Sequence, residues 1–381
     1  MRILVNIRLL PRKNRDHLMP LLLRDDVTHM TIVRYDHVPH LADHPKITQH
    51  IYGQRGAGRY EARVRPWQRV WYVLRHGPAS LRAARQTQPD VVYAVFMVPY
   101  GLITWITARL TGRPSMITLI GTDFNKDVQV RAWAPFWRWM LRRVDVITIY
   151  SAAARARLIE LGIPAERVFV VPHAIDMGAF IRRPDAPQDF DAIFLGGLIP
   201  LKEVARLLAT WALVCQTHPT ARLALVGDGP LRAALETQAA RLGIADTVHF
   251  AGWSDDPPAW MSRARLFINL SSQEGVPIAM LEAMACGLVP IVTDVGSVGA
   301  VVQSGENGYL VPHPAPPKHV AAIITRLLDD PTQWAALREA AATVRDQYSY
   351  EAVAQHWTPV LERLAARGVG SESHQKTKQG P

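Results

Sequence analysis

Thiols are nearly absent from this chain: Cys215 and Cys286 are the only two cysteines in 381 residues. Two cysteines cannot build a disulfide framework or a zinc quartet, which fits a reducing compartment. Long apolar runs are missing as well. Ile3-Leu4-Val5 is too short for a signal-peptide core, and no uninterrupted stretch approaches membrane-spanning length. The expected location is therefore cytoplasmic. Helix-turn-helix, finger and RNA-binding signatures are absent, so nucleic acid is not an expected partner. The six-residue dinucleotide fingerprint is not completed either, although Gly227-Asp228-Gly229 begins like one. What is present, 49% apolar and 20% charged residues, is the composition of a soluble globular protein long enough for two domains.

Charge is unevenly spread. Residues 1–180 hold 26 Lys+Arg against 13 Asp+Glu, or +13, while residues 181–381 hold 17 against 20, or −3. An anionic partner of the first half would explain this, as would plain compositional bias toward arginine. Two segments combine arginine with tryptophan, residues 65–75 and 131–143. In the second, Trp133, Trp137 and Met140 share a helical face. Aromatic rings flanked by cations suit the headgroup layer of an anionic membrane, and they suit a sheet core equally.

Strand and helix patterns alternate along both halves. Strands are expected over residues 2–7, 28–35, 90–94, 115–120, 144–151 and 168–171, then 192–195, 223–226, 248–250, 266–270 and 290–293. Such alternation implies parallel sheets covered by helices. The polar, proline-bearing stretch around residues 182–189 interrupts it and reads as a linker. The expected division is a first domain 1–180, a linker 181–190, a second domain 191–350, a terminal helix 351–367 and a disordered tail 368–381.

One passage carries the most chemistry. After the apolar strand ending Ile268-Asn269-Leu270 comes a turn-rich loop, Ser271-Ser272-Gln273-Glu274-Gly275-Val276, then Pro277-Ile278 opening a helix that Gly287 closes. A helix that opens at the carboxyl end of a strand presents free N–H groups to a phosphate. Glu274 lies in that loop and Glu282 lies further along the helix. Carboxylates only accept hydrogen bonds, so the pair can grip hydroxyls on two different rings. Spacing alone would suit two ordinary glutamates.

The run from Asn269 to Asp294 resembles the E-x7-E signature of retaining glycosyltransferases of family 4, the group 1 glycosyltransferases. The resemblance implies the α/β GT-B fold: two doubly wound Rossmann-like domains facing across a cleft, with a C-terminal helix crossing back. It implies a nucleotide-sugar donor, a cell-surface glycan or lipid-linked acceptor, and no metal or other cofactor. In that family the first glutamate contacts donor-sugar hydroxyls and the second holds the ribose, roles that fall on Glu274 and Glu282. Gly275, Val276, Pro277 and Ile278 are then expected at the donor.

Phe194-Leu195-Gly196-Gly197-Leu198-Ile199-Pro200-Leu201-Lys202 is similar to the family's first loop of the nucleotide domain. Gly196 and Gly197 would let the backbone approach the diphosphate, and Lys202 would stabilise the departing charge; a solvated lysine is the alternative. The departures are as informative. Gly197 stands where the family has an arginine, Ile120 where it has a histidine, and Ala300 where it often has a glutamate. In the first domain Asp123 is either an acceptor contact or a turn cap. Arg12, Lys13 and Arg15 form a basic loop that either meets the acceptor or is merely solvated. A weak or inactive glycan-binding relative and a sugar-nucleotide epimerase stay open as other readings.

Overall fold

The computed structural model describes residues 1–7, 13–34, 44–53, 66–120 and 134–376. Arg12, Asp123, Trp133 and the side chain of Lys13 lie outside the described residues. The chain divides into two compact units, residues 1–174 with 350–381, and residues 175–349.

The first unit holds seven parallel strands: β1 Arg2–Asn6, β2 His29–Arg34, β3 Ile47–Ile51, β4 Val91–Val95, β5 Ser115–Thr118, β6 Val146–Ile149 and β7 Val168–Val170. They lie in the order β3-β2-β1-β4-β5-β6-β7. The second holds β8 Phe190–Leu195, β9 Leu223–Val226, β10 Val248–Gly252, β11 Ala264–Asn269, β12 Val289–Thr293 and β13 Tyr309–Val311. Their order is β10-β9-β8-β11-β12-β13, again all parallel. Strands covered on both faces need unbroken apolar runs, and Leu223-Ala224-Leu225-Val226 is buried throughout. Apolar cores lie on both faces of this sheet. One contains Trp211, Leu225 and Ile324, and the other contains Phe267, Met280 and Met284.

Several expectations need correction. The division falls at Ala174/Ile175, ahead of residue 180. Residues 181–190 are no linker, because they are bonded into the second unit. The Arg183 N–H donates to Ser262 Oγ at 3.0 Å, and Gln188 Nε2 donates to the Ser262 carbonyl at 2.7 Å. Asp189 is held below the usual carboxylate range by its hydrogen bond from Arg263, an ion pair 2.5 Å long.

The terminal helix is two helices, Tyr350–His356 and Thr358–Lys376, and the second runs past residue 367 into the stretch expected to be disordered. Pro359 has no N–H to bond the carbonyl one turn back, so the helix breaks there. Both pack on the first unit, where Tyr350, Val353, Trp357, Val360, Leu361 and Leu364 join a core with Leu18 and Tyr93.

Within residues 131–143 the described helix spans Ala134–Leu141. Trp137 and Met140 pack inward with Ile117 and Ile147, so the face read as a candidate membrane face belongs to the core.

Candidate functional site

In the second sheet β9 and β10 lie to one side of β8, and β11 to β13 lie to the other. The chain reverses its direction of winding between β8 and β11. Loops leaving the carboxyl ends of those two strands separate there, and open α/β sheets bind ligands at that point. The loop after β8 carries Gly196, Gly197 and Lys202. The loop after β11 carries Glu274, Gly275 and Val276.

Close backbone packing fixes the first loop. The Gly196 N–H bonds the Val226 carbonyl at 3.0 Å, and the Leu198 N–H bonds that of Asp228 at 3.0 Å. Gly227 has φ +139°, and a Cβ there would sit 1.9 Å from the Gly196 carbonyl oxygen. Pro200–Lys202 then forms one tight helical turn. The Ser272 N–H donates to the Leu201 carbonyl at 2.9 Å and ties the two loops together.

Across that tie, Lys202 Nζ donates to Glu274 Oε1 at 2.5 Å. The two residues are 72 positions apart and both side chains are largely shielded, with exposures of 23% and 13%. Asn269 Nδ2 donates to the same oxygen at 3.0 Å. The carboxamide is itself fixed, since Asn269 Oδ1 accepts from Ser271 Oγ at 2.5 Å and from the Ser271 N–H at 3.3 Å. The Ser271 carbonyl in turn accepts from Thr293 Oγ1 at 2.6 Å. Among the described residues both donors to Glu274 fall on Oε1, which leaves Oε2 to accept from a ligand hydroxyl. Lys202, with three N–H bonds, keeps donors for an anion.

Glu203 does not compete for Lys202. Burial disfavours its charge, yet hydrogen bonds from His313 at 2.9 Å and Arg206 at 2.6 Å hold its carboxyl below the usual range.

The helix Ile278–Ala285 begins one residue later than expected, with Pro277 as its cap in extended conformation at φ −65° and ψ 119°. The Met280 and Leu281 N–H groups donate to the Pro277 carbonyl at 3.1 and 3.3 Å, which leaves those of Ile278 and Ala279 without an acceptor within the helix. Glu282, half-buried, lies one turn along on the face of Ile278. The Gly287 N–H bonds the Met284 carbonyl and the Leu288 N–H bonds that of Ala283, a Schellman ending with Gly287 at φ +78°. Behind the loop, Gly296 has φ +64°, and a Cβ would meet the Glu274 carbonyl oxygen at 2.0 Å.

Lys202, Glu274 and Gly196 are thus brought together; a Cβ on Gly196 would be 3.7 Å from Lys202 Cε. Arg15 is exposed on the helix Lys13–Leu22 of the first unit. Ile120 is partly buried against the apolar core of that unit.

Asn269 has no role in the sequence reading. The signal was an amide closing an otherwise apolar strand, because a polar group 4% exposed must find partners. If the sugar-nucleotide donor that the resemblance implies binds here, Asn269→Ala should leave binding of a free nucleoside diphosphate within about threefold and remove most of the extra affinity the sugar adds. Titration of both ligands checks this. Equal losses for the two would mean general damage to the loop.

Two family models match: "Glycosyl transferase 4-like domain" over residues 23–174, and "Glycosyl transferases group 1" over residues 180–344. The MMP α-(1→4)-mannosyltransferase of Mycolicibacterium hassiacum is 30% identical over 321 residues, covering 76% of this chain and 74% of that protein. The chain belongs to the group 1 glycosyltransferases. Another relative is the N-acetyl-α-D-glucosaminyl L-malate synthase of Bacillus anthracis, 27% identical over 63% of this chain and 65% of that one. Across the first three curated relatives the chain spans only 24% to 65% of their lengths. Among solved structures, Anabaena HepE in complex with UDP-glucose has a TM-score of 0.76 at 20% identity, covering 95% of this glycosyltransferase and 99% of HepE. That likeness shows the GT-B fold.

Proposed function

We propose that this glycosyltransferase moves a sugar, with retention of anomeric configuration, from a nucleotide-sugar donor to a cell-surface glycan or lipid-linked acceptor, and that it needs no metal. The observation that carries the reading is the Lys202–Glu274 contact at the winding reversal between β8 and β11. It pairs an anion-binding ammonium with a hydroxyl-binding carboxylate, the two groups a sugar diphosphate requires.

In this reading the diphosphate lies against Gly196, Gly197 and the amides opening the helix at Ile278. Gly275, Val276 and Pro277 line the donor, and Glu282 accepts from the ribose hydroxyls. Glu274 Oε2 orients the sugar. The bond between the anomeric carbon and the diphosphate oxygen breaks, and the acceptor oxygen attacks the same face. The acceptor proton passes to the departing diphosphate oxygen, and Lys202 steadies the charge that grows there. The acceptor belongs to the first unit, where Arg12, Lys13, Arg15 and Asp123 are its candidate contacts.

Gly197 and Ile120, which replace an expected cation and an expected histidine, favour a second reading of slow or absent turnover with donor binding kept. A thermal-shift panel of UDP-, GDP- and ADP-sugars tests the donor. One of them should raise the melting temperature, and none doing so would overturn the proposal. Charge-assisted hydrogen bonds contribute roughly 1.5–3 kcal/mol, so Glu282→Ala should weaken the matching free nucleotide by about 10- to 100-fold. Glu274→Ala should alter it by less than about threefold while depressing turnover. Equal losses in calorimetric titration would remove the division of roles.

A further inference from the structure

The helix Leu102–Thr111 connects β4 to β5, and the helix Ala134–Leu141 lies between β5 and β6. Both connections step the same way along the sheet, so right-handed crossovers set the helices side by side on one face. Trp105 and Trp139 meet edge to face across them, with ring centres 5.4 Å apart. The inward residues, Ile103, Ala108, Trp137 and Met140, are buried.

The outward side is apolar too. Leu110 is 61% exposed, Ile106 and Trp139 are 42% exposed, and Phe136 is 38% exposed. Phe136 and Trp139 stack at 27° with centres 6.1 Å apart. Scattered exposed apolar residues are ordinary, but four large ones on two adjoining helices mark an interaction surface. Its cations stand at the rings: the Arg143 guanidinium lies 4.3 Å from the Trp139 ring centre, and that of Arg109 lies 5.7 Å from Trp105. Residues 97–113 and 134–144 contain five arginines and no Asp or Glu.

We propose that the face made by Ile106, Leu110, Phe136 and Trp139, with Arg109 and Arg143, docks reversibly on an anionic lipid surface. Aromatic and aliphatic side chains enter the boundary between headgroups and acyl chains while guanidinium groups stay among lipid phosphates. A second copy of the chain suits the face less well. A two-fold contact sets the same patch against itself and gathers two sets of arginines into one interface, with no carboxylate in residues 97–113 or 134–144 to pair them. Among the described residues no helix is long and apolar enough to cross a membrane, so this attachment is peripheral.

The test is co-sedimentation of the full chain with vesicles of phosphatidylcholine alone and of phosphatidylcholine with phosphatidylglycerol. The protein should pellet with the anionic vesicles at low salt and be released as salt rises, since screening sets in over about 8 Å at physiological ionic strength. Phe136→Ser/Trp139→Ser and, separately, Arg109→Gln/Arg143→Gln should each lower the bound fraction at least about fivefold. Circular dichroism checks that both stay folded. Trp253→Ser, which removes a 77%-exposed ring from the second unit, should bind as the parent does. Equal pelleting on both vesicle types, no pelleting at low salt, or folded variants that bind like the parent would overturn the proposal. So would a concentration-dependent dimer abolished by Phe136→Ser/Trp139→Ser, since a second copy would then occupy the face.

Discussion

Lys202→Ala is expected to lower kcat by about 100-fold while changing the donor KM by less than about threefold. Lys202 Nζ lies 2.5 Å from Glu274 Oε1 in a partly shielded site, where a charge is screened less than at an open surface. In the proposed reaction negative charge grows on the diphosphate as the glycosidic bond breaks. The lysine therefore contributes more in the transition state than in the bound donor, and its loss falls on kcat. Its expected share is large because Gly197 supplies no second cation. Steady-state kinetics with the donor found by the thermal-shift panel would measure the effect. Activity within twofold of the parent would make Lys202 a solvated lysine paired with a neighbouring carboxylate.

Gly227→Ala should destabilise the second unit by about 3 kcal/mol or more. The added methyl would overlap the Gly196 carbonyl at 1.9 Å, and φ of +139° is strained for any residue with a Cβ. The contact is with Gly196 backbone and not with a movable side-chain end, so strand or loop must shift, and the shifting loop is the one carrying Lys202. Gly275→Ala is the comparison: nothing lies within 4 Å of its Cβ position, and its stability should change by no more than about 1 kcal/mol. Urea denaturation of the two variants separates them. Equal midpoints would refute the close-packing account of the loop.

The strands buried on both faces were legible because continuous apolar runs such as Leu223–Val226 have few other uses. β3, Ile-Thr-Gln-His-Ile, was not, since an edge strand carries polar residues and resembles a loop. β13 has three residues, too few for any period to show. The mistaken linker has a similar cause: proline and charge around residues 182–189 mark a surface path, and only the bonds to Ser262 and Arg263 reveal what it runs over.

Helical spacing grouped Trp137 with Met140 correctly but could not say which side faces the sheet, because Phe136 and Trp139 make the other side equally apolar. At the candidate site Glu274, Glu282 and Lys202 were singled out through a family pattern, and the structure joins Lys202 to Glu274. The contact between residues 72 apart followed from strand order, which propensity does not encode. Asn269 belongs to no such pattern, and its only mark is an amide closing an otherwise apolar strand.

The return of residues 350–364 to the first unit makes that unit discontinuous in time as well as in sequence. During synthesis the ribosome delivers all of residues 175–349, and with them a unit that has its own cores, before Trp357, Val360, Leu361 and Leu364 emerge. Completion from the amino end onward, the usual order for successive domains, is not open to this chain, whose first unit lacks part of its core until residues 350–364 have been made. The second unit can be complete while the first still exposes the place that Trp357 fills beside Tyr93, where the rings meet edge to face at 6.2 Å. A nascent chain paused before residue 350 would thus be half native, with its unfinished apolar surface on the half made first.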